Sequence, residues 1–272
     1  MNQRVTMSVD GQVARVCLSR PDKRNALDLE MFEGIAQAAS DVSRAEDIRA
    51  VILHGEGAAF CAGLDVGAFF STPDAGQRLM ERASGAETNL AQEVAWAWRR
   101  LPMPVIAALH GEVFGGGLQI ALGADIRLVA SDVRMSVMEI RWGLVPDMAG
   151  SRILPRLLRD DVARELTFSG RIVEAQEAVA LGLATRVCDD PLVAASSLAA
   201  EIAGKSPDAV RAAKFLFEQA GQLDDHQGLA LETRLQLALL GSRNQMEAAR
   251  AGMQKRPPEF RPASLDPTGM LE

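Results

Sequence analysis

The sequence has no tyrosine and only three histidines and three cysteines among its 272 residues. The absence of tyrosine excludes a tyrosine acid or hydrogen-bond donor from any active site. The cysteines are far apart and form no Cys-x-x-Cys pair, so the sequence predicts reduced thiols rather than a disulfide framework. The histidines show no metal-ligand spacing either. These absences favour an intracellular protein with no metal centre.

Long apolar runs and an excess of positive charge are also missing. No segment approaches transmembrane length and the N-terminus has no signal-peptide core, so we expect a cytoplasmic protein without a membrane partner. The net charge of −7 gives no electrostatic reason to bind nucleic acid. A chain of 272 residues with 48% hydrophobic content can bury one large core, or one domain with a helical appendage.

The most informative stretch joins an apolar run to a helix through three glycines. Residues 105–109 are typical of a buried strand, and Gly115, Gly116 and Gly117 precede the helical sequence at residues 118–122. Glycine lets a ligand approach the main chain, and the first amides of a helix lack internal partners. Such a turn can hold an anion or a developing oxyanion, although it can also be only a tight turn. No dinucleotide-binding or P-loop motif is present.

Short strands alternate with helices through the first half of the chain, which favours an α/β core with parallel strands. Asp10-Gly11 between the first two strands predicts a hairpin. Residues 69–84 are mixed in character, and we expect them to be mobile. The predicted strands cover residues 5–9, 13–18, 49–54, 105–109 and 125–130, and the predicted helices cover residues 28–43, with Asp28 as the N-cap, 87–100 and 118–122.

Beyond Gly150 the pattern becomes largely helical. Residues 184–188 are the only strand predicted in this part. The tail from Pro257 is rich in proline, and we expect it to fray. The predicted helices cover residues 151–158, 161–168, 174–181, 192–203, 207–220, 229–240 and 244–254.

Three motifs resemble those of the enoyl-CoA hydratase/isomerase (crotonase) superfamily: FCAGLD at residues 60–65, AALHGEVFGGG at 107–117 and MEIRWGLVPDMAG at 138–150. The likeness covers almost the whole chain. It implies an α/β fold of the ClpP-like kind, a ββα spiral of two roughly perpendicular sheets with a C-terminal helical trimerisation region. We expect an acyl-CoA-binding catalytic core over residues 1–200 and a helical oligomerisation region over residues 201–272.

The resemblance also implies a role for the two glycine-rich loops. In this family two main-chain amides form an oxyanion hole around a thioester carbonyl, and by motif position they are the N–H groups of Leu64 and Gly116. Polarising a thioester raises the acidity of its α-carbon and stabilises the enolate. The implied substrates are acyl-CoA thioesters. No separate cofactor is implied, because coenzyme A is part of the substrate.

The acid/base positions of the family are only partly filled. Its hydratases commonly use two glutamates; here the first position holds Gln119, which cannot act as a base, and the second holds Glu139. Asp147 stands where many hydratases have glycine and the dienoyl-CoA isomerases have aspartate. One carboxylate is enough for allylic isomerisation, so these catalytic candidates favour isomerisation with Glu139 as the proton shuttle. A partly buried carboxylate beside a second one should have a raised pKa.

Other interpretations of the same residues stay open. Gln119 could orient a water for 2-enoyl-CoA hydration, or could be polar filler. Asp147 could cap the helix that follows Pro146, and Glu139 could be a surface residue. The chain could also be a non-catalytic acyl-CoA binder.

The phosphates of coenzyme A require cations near the entrance of the site. Lys23 and Arg24 are candidates, and Lys255, expected in a C-terminal helix, could act from a neighbouring subunit. Trp142 and residues 66–81 are expected to line the acyl pocket. The implied assembly is a homotrimer or a dimer of trimers. The predicted CoA-binding residues are Lys23, Arg24, Ala26, Ala62, Asp65 and Lys255.

Overall fold

The structure is a computed structural model that describes residues 4–271. The strands are β1 Val5–Asp10, β2 Val13–Leu18, β3 Ala50–Gly55, β4 Val105–Leu109, β5 Glu112–Phe114, β6 Ile126–Val129, β7 Arg134–Ser136, β8 Val173–Glu174 and β9 Arg186–Val187. The helices are α1 Leu29–Arg44, α2 Val66–Ser71, α3 Ala75–Met80, α4 Leu90–Arg100, α5 Gly116–Leu122, α6 Gly150–Leu157, α7 Asp160–Ser169, α8 Ala175–Leu181, α9 Pro191–Ala203, α10 Pro207–Gln219, α11 Asp225–Leu239 and α12 Arg243–Gln254.

Two sheets organise the first two thirds of the chain. The larger sheet has the strand order β1-β2-β3-β4-β6-β9, and the smaller one has the order β5-β7-β8. β1 and β2 form the predicted antiparallel hairpin, whereas β2, β3, β4 and β6 run parallel to one another. The sequences β4-β5-α5 and β6-β7-α6 repeat one ββα unit, with successive strands in alternate sheets. The predicted α/β class is confirmed.

Helices cover both faces of the larger sheet. The predicted N-cap of α1 is confirmed, because Asp28 accepts a hydrogen bond from the Met31 amide at 2.9 Å. α1 and α4 pack their apolar faces together, and Trp98 on α4 is fully buried. On the opposite face, Ala195 and Ala199 of α9 pack against Ile52 and neighbouring residues of the sheet. The parallel strands are therefore covered on both sides, as their continuous apolar sequences require.

Short elements account for most of the errors in the sequence analysis. The sequence does not predict β5, β7 and β8, because strands of two or three residues show no measurable period. The expectation of a single strand beyond residue 150 was wrong, because β8 lies there as well as β9. The mixed segment at residues 69–84 contains the end of α2 and all of α3. α4 begins three residues later than predicted, since Asn89 and Gln92 form a capping box at its start.

The C-terminal tail is also more ordered than expected. Asp208 accepts hydrogen bonds from the amides of Ser264 and Leu265 at 2.7 and 2.8 Å. Asn244 donates to Asp208 and accepts from the Arg261 amide. Two buried polar side chains therefore fix the tail against α10 and α12, and the expectation that it frays was wrong.

The C-terminal helices form a separate small core. Ala212, Leu231 and Leu235 are its buried members, from α10 and α11. α9 belongs instead to the sheet and spans the predicted boundary at residue 200. The division at that residue stays a prediction. No helix within residues 4–271 is long and apolar enough to cross a membrane.

Candidate active site

The glycine-rich loop that follows β3 lies directly against β5 and the glycine turn that starts α5. The Cys61 N–H donates to Glu112 O and the Phe114 N–H donates to Cys61 O, both at 3.0 Å. A side chain at Gly117 would overlap this contact, because an added Cβ would lie 2.6 Å from Cys61 O. Glycine at this position lets the two loops meet at main-chain distance.

Leu64 and Gly116, the two predicted oxyanion donors, lie on these facing loops. The Leu27 N–H donates to Gly63 O at 2.8 Å and Leu27 O accepts from the Asp65 N–H at 3.0 Å, so the intervening Leu64 amide points away from Leu27. Gly116 is the first residue of α5, where an amide has no partner inside the helix. In the described part of the chain, neither the Leu64 nor the Gly116 N–H has an acceptor.

Glu139 places a buried carboxylate beside the glycine turn. It begins a 3-10 helix, Glu139–Trp142, shortly after β7, and its side chain is only 9% exposed. An added Cβ on Gly115 would lie 3.5 Å from Glu139 Oε1. The second oxygen, Oε2, is buried and has no hydrogen-bond partner among residues 4–271. The surface position considered for Glu139 was therefore wrong.

Gln119 holds the other oxygen of this carboxylate. It lies on α5 with 2% exposure, and its Nε2 donates to Glu139 Oε1 at 2.6 Å. Its own Oε1 accepts from the amides of Met148 and Gly150 at 3.0 and 2.8 Å. One buried amide therefore links α5, Glu139 and the start of α6.

Burial is the main influence on the Glu139 carboxyl. Loss of hydration raises its pKa above the ordinary value, because the charged form is poorly solvated. Hydrogen bonds, including that from Gln119, oppose this shift, whereas the nearby charge of Asp147 adds to it. A carboxyl with a raised pKa is suited to accept and return a proton near neutral pH.

Asp147 lies near Glu139 but does not cap a helix. α6 starts at Gly150 after Ala149, with no side-chain cap, and Gln119 accepts the Gly150 amide instead. The predicted alternative of an Asp147 cap was therefore wrong. The Asp147 side chain reaches solvent, yet the surrounding protein removes enough water to raise its pKa.

Five of the predicted CoA-binding residues lie at one rim of the site. Ala26 lies between Arg24 and Leu27 in the chain. The Arg24 O accepts a hydrogen bond from the Ala62 amide at 2.9 Å, and the Leu27 O accepts one from the Asp65 amide at 3.0 Å. The Arg24 guanidinium is exposed and contacts Glu112 at 3.0 Å. Lys23 is also exposed, in a short 3-10 helix.

The Asp65 carboxylate has structural partners at this rim. It accepts from the Ala68 amide at 3.0 Å, which caps α2, and it pairs with the buried Arg20 at 2.9 Å. These hydrogen bonds and the Arg20 charge lower the pKa of Asp65.

Lys255, the remaining candidate, lies in the C-terminal region. α12 ends at Gln254, so Lys255 is its C-cap rather than a helical residue, with a left-handed φ of 51°. The neighbouring Arg256 pairs with Glu247 at 2.6 Å. Lys255 is exposed at the end of α12, whereas Lys23 and Arg24 lie at the short 3-10 helix Pro21–Lys23.

Asn25 supports the site, although the sequence analysis assigned it no role. Its amide donates to Glu56 O and Ala59 O at 2.9 and 2.8 Å, and its Oδ1 accepts from the Arg20 amide. It is fully buried with a positive φ of 54°, a conformation that asparagine tolerates. The side chain braces the loop that leads to Cys61. An asparagine between charged residues and an apolar run is too common a signal to reveal this.

Comparisons with known proteins identify the family of this chain. The family model described as enoyl-CoA hydratase/isomerase matches residues 8–263. The mouse mitochondrial methylglutaconyl-CoA hydratase is 31% identical over 257 residues, which cover 90% of this chain and 78% of that protein. The mouse mitochondrial Delta(3,5)-Delta(2,4)-dienoyl-CoA isomerase is 32% identical over 267 residues, which cover 92% of this chain and 79% of that protein.

A solved structure gives the same result at the level of the fold. The crystal structure of enoyl-CoA hydratase from Bacillus anthracis matches with a TM-score of 0.87 and 29% identity, over 95% of this chain and 99% of that one. The chain therefore belongs to the enoyl-CoA hydratase/isomerase family. It has the crotonase fold and is an enzyme of this family.

Proposed function

We propose that the enzyme moves the double bond of an enoyl- or dienoyl-CoA thioester, with Glu139 as the proton shuttle. The observation that carries this proposal is the buried Oε2 of Glu139, which has no partner among the described residues. Leaving a buried polar atom unpaired is costly, so its persistence beside the glycine turn supports a role toward a ligand.

The proposed reaction needs one base and two amide donors. Glu139 Oε2 takes a proton from C2 of a 3-enoyl thioester, and the electrons of the broken C–H bond move toward the thioester oxygen. The N–H groups of Leu64 and Gly116 stabilise this oxygen as it becomes negative. Returning the proton at C4 gives the 2-enoyl thioester and regenerates the carboxylate. The chemistry uses no cofactor, because coenzyme A is part of the substrate.

Hydration of a 2-enoyl-CoA is the second candidate, and the name of the Bacillus anthracis structure favours it. Hydration requires a held water, for which Gln119 was considered. Its Oε1 already accepts two main-chain amides and its Nε2 donates to Glu139. The Gln119 oxygen therefore has no lone pair left to accept a hydrogen bond from a water, whereas the second N–H of Nε2 remains a donor.

The remaining contacts of the substrate are proposed from the rim described above. Lys23 and Arg24 would meet the phosphates of coenzyme A, with Ala26, Ala62 and Asp65 alongside. Lys255 would contribute from a neighbouring subunit.

A homotrimer or dimer of trimers is proposed for the assembly. Apolar side chains exposed on the C-terminal helices support an interface there: Phe217, Leu229, Leu237, Leu240, Met246 and Met253. The cytoplasmic location stays a prediction, and two relatives are named as mitochondrial.

A side-by-side assay separates the two reactions. Saturated, 2-enoyl, 3-enoyl and dienoyl thioesters of short, medium and long chain length are incubated with the enzyme, and products are identified by mass spectrometry. We expect 3-enoyl or dienoyl substrates to be converted to isomers of equal mass. A product heavier by one water, formed faster from 2-enoyl substrates, would contradict the proposal and establish hydration.

Replacing Asp147 by Asn should extend activity to lower pH. The negative charge of Asp147 contributes to the raised pKa of Glu139, so its removal lowers that pKa. Glu139 then stays ionised at lower pH, and the acid limb of the kcat profile moves down. The matched control is Asp189→Asn on the exposed surface. An unchanged acid limb in D147N would show that the Asp147 charge does not reach Glu139.

A further inference from the structure

We infer that Gln119 is a positioning residue that fixes which oxygen of Glu139 carries the shuttled proton. The inference rests on the proposed function and adds a second residue to it. Gln119 touches no substrate in this role and acts only through Glu139.

The orientation of the Gln119 amide is determined by its neighbours. Its oxygen accepts two main-chain amides, from Met148 and Gly150, so an exchange of its O and N atoms would place donors against donors. The Nε2 group must therefore face Glu139 Oε1, at 2.6 Å. Gly150 makes this approach possible, because an added Cβ would lie 2.6 Å from Gln119 Oε1.

This orientation makes the two oxygens of Glu139 inequivalent. The oxygen that faces Gln119 accepts an N–H on one lone pair, and protonation of that oxygen would weaken this hydrogen bond because a hydroxyl oxygen is a poorer acceptor than a carboxylate oxygen. Protonation of Oε2 keeps the hydrogen bond from Gln119 intact, so the proton taken from the substrate is favoured on Oε2, the buried oxygen without a partner in the described structure. Gln119 thus leaves Glu139 Oε2 as the protonation site and keeps Oε1 occupied as the acceptor of its own N–H.

The substitution Gln119→Glu would change the electrostatics without changing the shape of the side chain. Its oxygens could still accept the amides of Met148 and Gly150. The atom in place of Nε2 would become an oxygen 2.6 Å from Glu139 Oε1, and two ionised carboxylates cannot occupy this distance. One proton would then be shared between them, and losing it would disrupt the arrangement.

The test is the pH profile of Q119E, measured as kcat for a 3-enoyl-CoA and as deuterium incorporation at C2 in D2O. At low pH the shared proton replaces the Gln119 donor, and we expect activity close to that of the wild type. Above the pKa of that proton, activity should fall by about tenfold per pH unit, an alkaline limb that the wild type lacks.

Q92E is the matched control. Gln92 also accepts a main-chain amide at a helix start, from Asn89, but it lies on α4 and caps a different helix. Its pH profile should equal that of the wild type. A Q119E profile parallel to the wild type at every pH would overturn the inference and leave Gln119 as a structural link only.

A second measurement on the wild type keeps the inference testable if Q119E does not fold. The side-chain amide protons of Gln119 should shift in NMR spectra with the same pKa as the acid limb of kcat, because they report the ionisation of Glu139. Amide signals that do not move through that limb would contradict the inference. Full activity of E139Q would instead contradict the proposed function, so the two failures are distinguishable.

Discussion

Replacing Glu139 by Gln is expected to lower kcat for 3-enoyl-CoA isomerisation by about 10²–10⁴-fold, the usual contribution of a positioned acid or base. Glutamine keeps the size of the side chain and can still accept the hydrogen bond from Gln119. It cannot take a proton from the substrate. KM should change little, because the oxyanion donors and the CoA contacts are untouched.

The stability of the E139Q variant separates this effect from unfolding. A carboxyl whose pKa is raised by folding binds more protons in the folded state, so the free energy of unfolding falls as pH rises through the folded pKa. E139Q removes this cost, and its Tm at roughly pH 8 should not lie below that of the wild type. Glu46→Gln, an exposed site on the loop before β3, is the matched control. A folded E139Q with undiminished kcat would show that another group moves the proton.

Replacing Gly117 by Ala is expected to cost at least about 10²-fold in kcat, the loss typical of removing one oxyanion donor. An added Cβ would lie 2.6 Å from Cys61 O, a main-chain atom that cannot turn aside. The two loops must then separate, and the Leu64 and Gly116 amides can no longer converge on one oxygen. The rate should be expressed per folded enzyme, with folding checked by circular dichroism and Tm.

Gly228→Ala is the control for this substitution. Gly228 lies inside α11, and nothing within 4 Å would meet an added Cβ. Alanine is the better helix former there, so Tm should stay the same or rise, with no change in kcat. If G117A folds and turns over at the wild-type rate, the spacing between the two loops does not matter for catalysis.

The core of the fold could be predicted from the sequence because its signals are local. The buried runs at residues 50–55 and 105–109 are continuous and apolar, and Asp10-Gly11 marks the hairpin between the first two strands. The short strand Glu112–Phe114 could not be found in this way. Three residues carry no period, and its pairing with Arg134–Ser136 depends on the folded spiral.

The candidate site was predictable only in part for a related reason. The motifs place Glu139 and the glycine loops, since each is a short stretch with a family pattern. The partners of Gln119 lie 20 to 31 residues away in the chain, so its three hydrogen bonds are a property of the folded structure. This separation along the chain also explains the wrong prediction of an Asp147 cap. The sequence does not show that Gln119, 31 residues before Gly150, accepts the Gly150 amide at the start of α6.

A crystal structure with an unreactive acyl-CoA thioester tests the central claim most directly. The account predicts the thioester oxygen within roughly 2.7–3.1 Å of both the Leu64 and the Gly116 nitrogen atoms. Glu139 Oε2 should face C2 of the acyl chain, with Gln119 still bound to the other oxygen. A thioester oxygen bound away from both amides, or Oε2 turned from C2, would contradict the account.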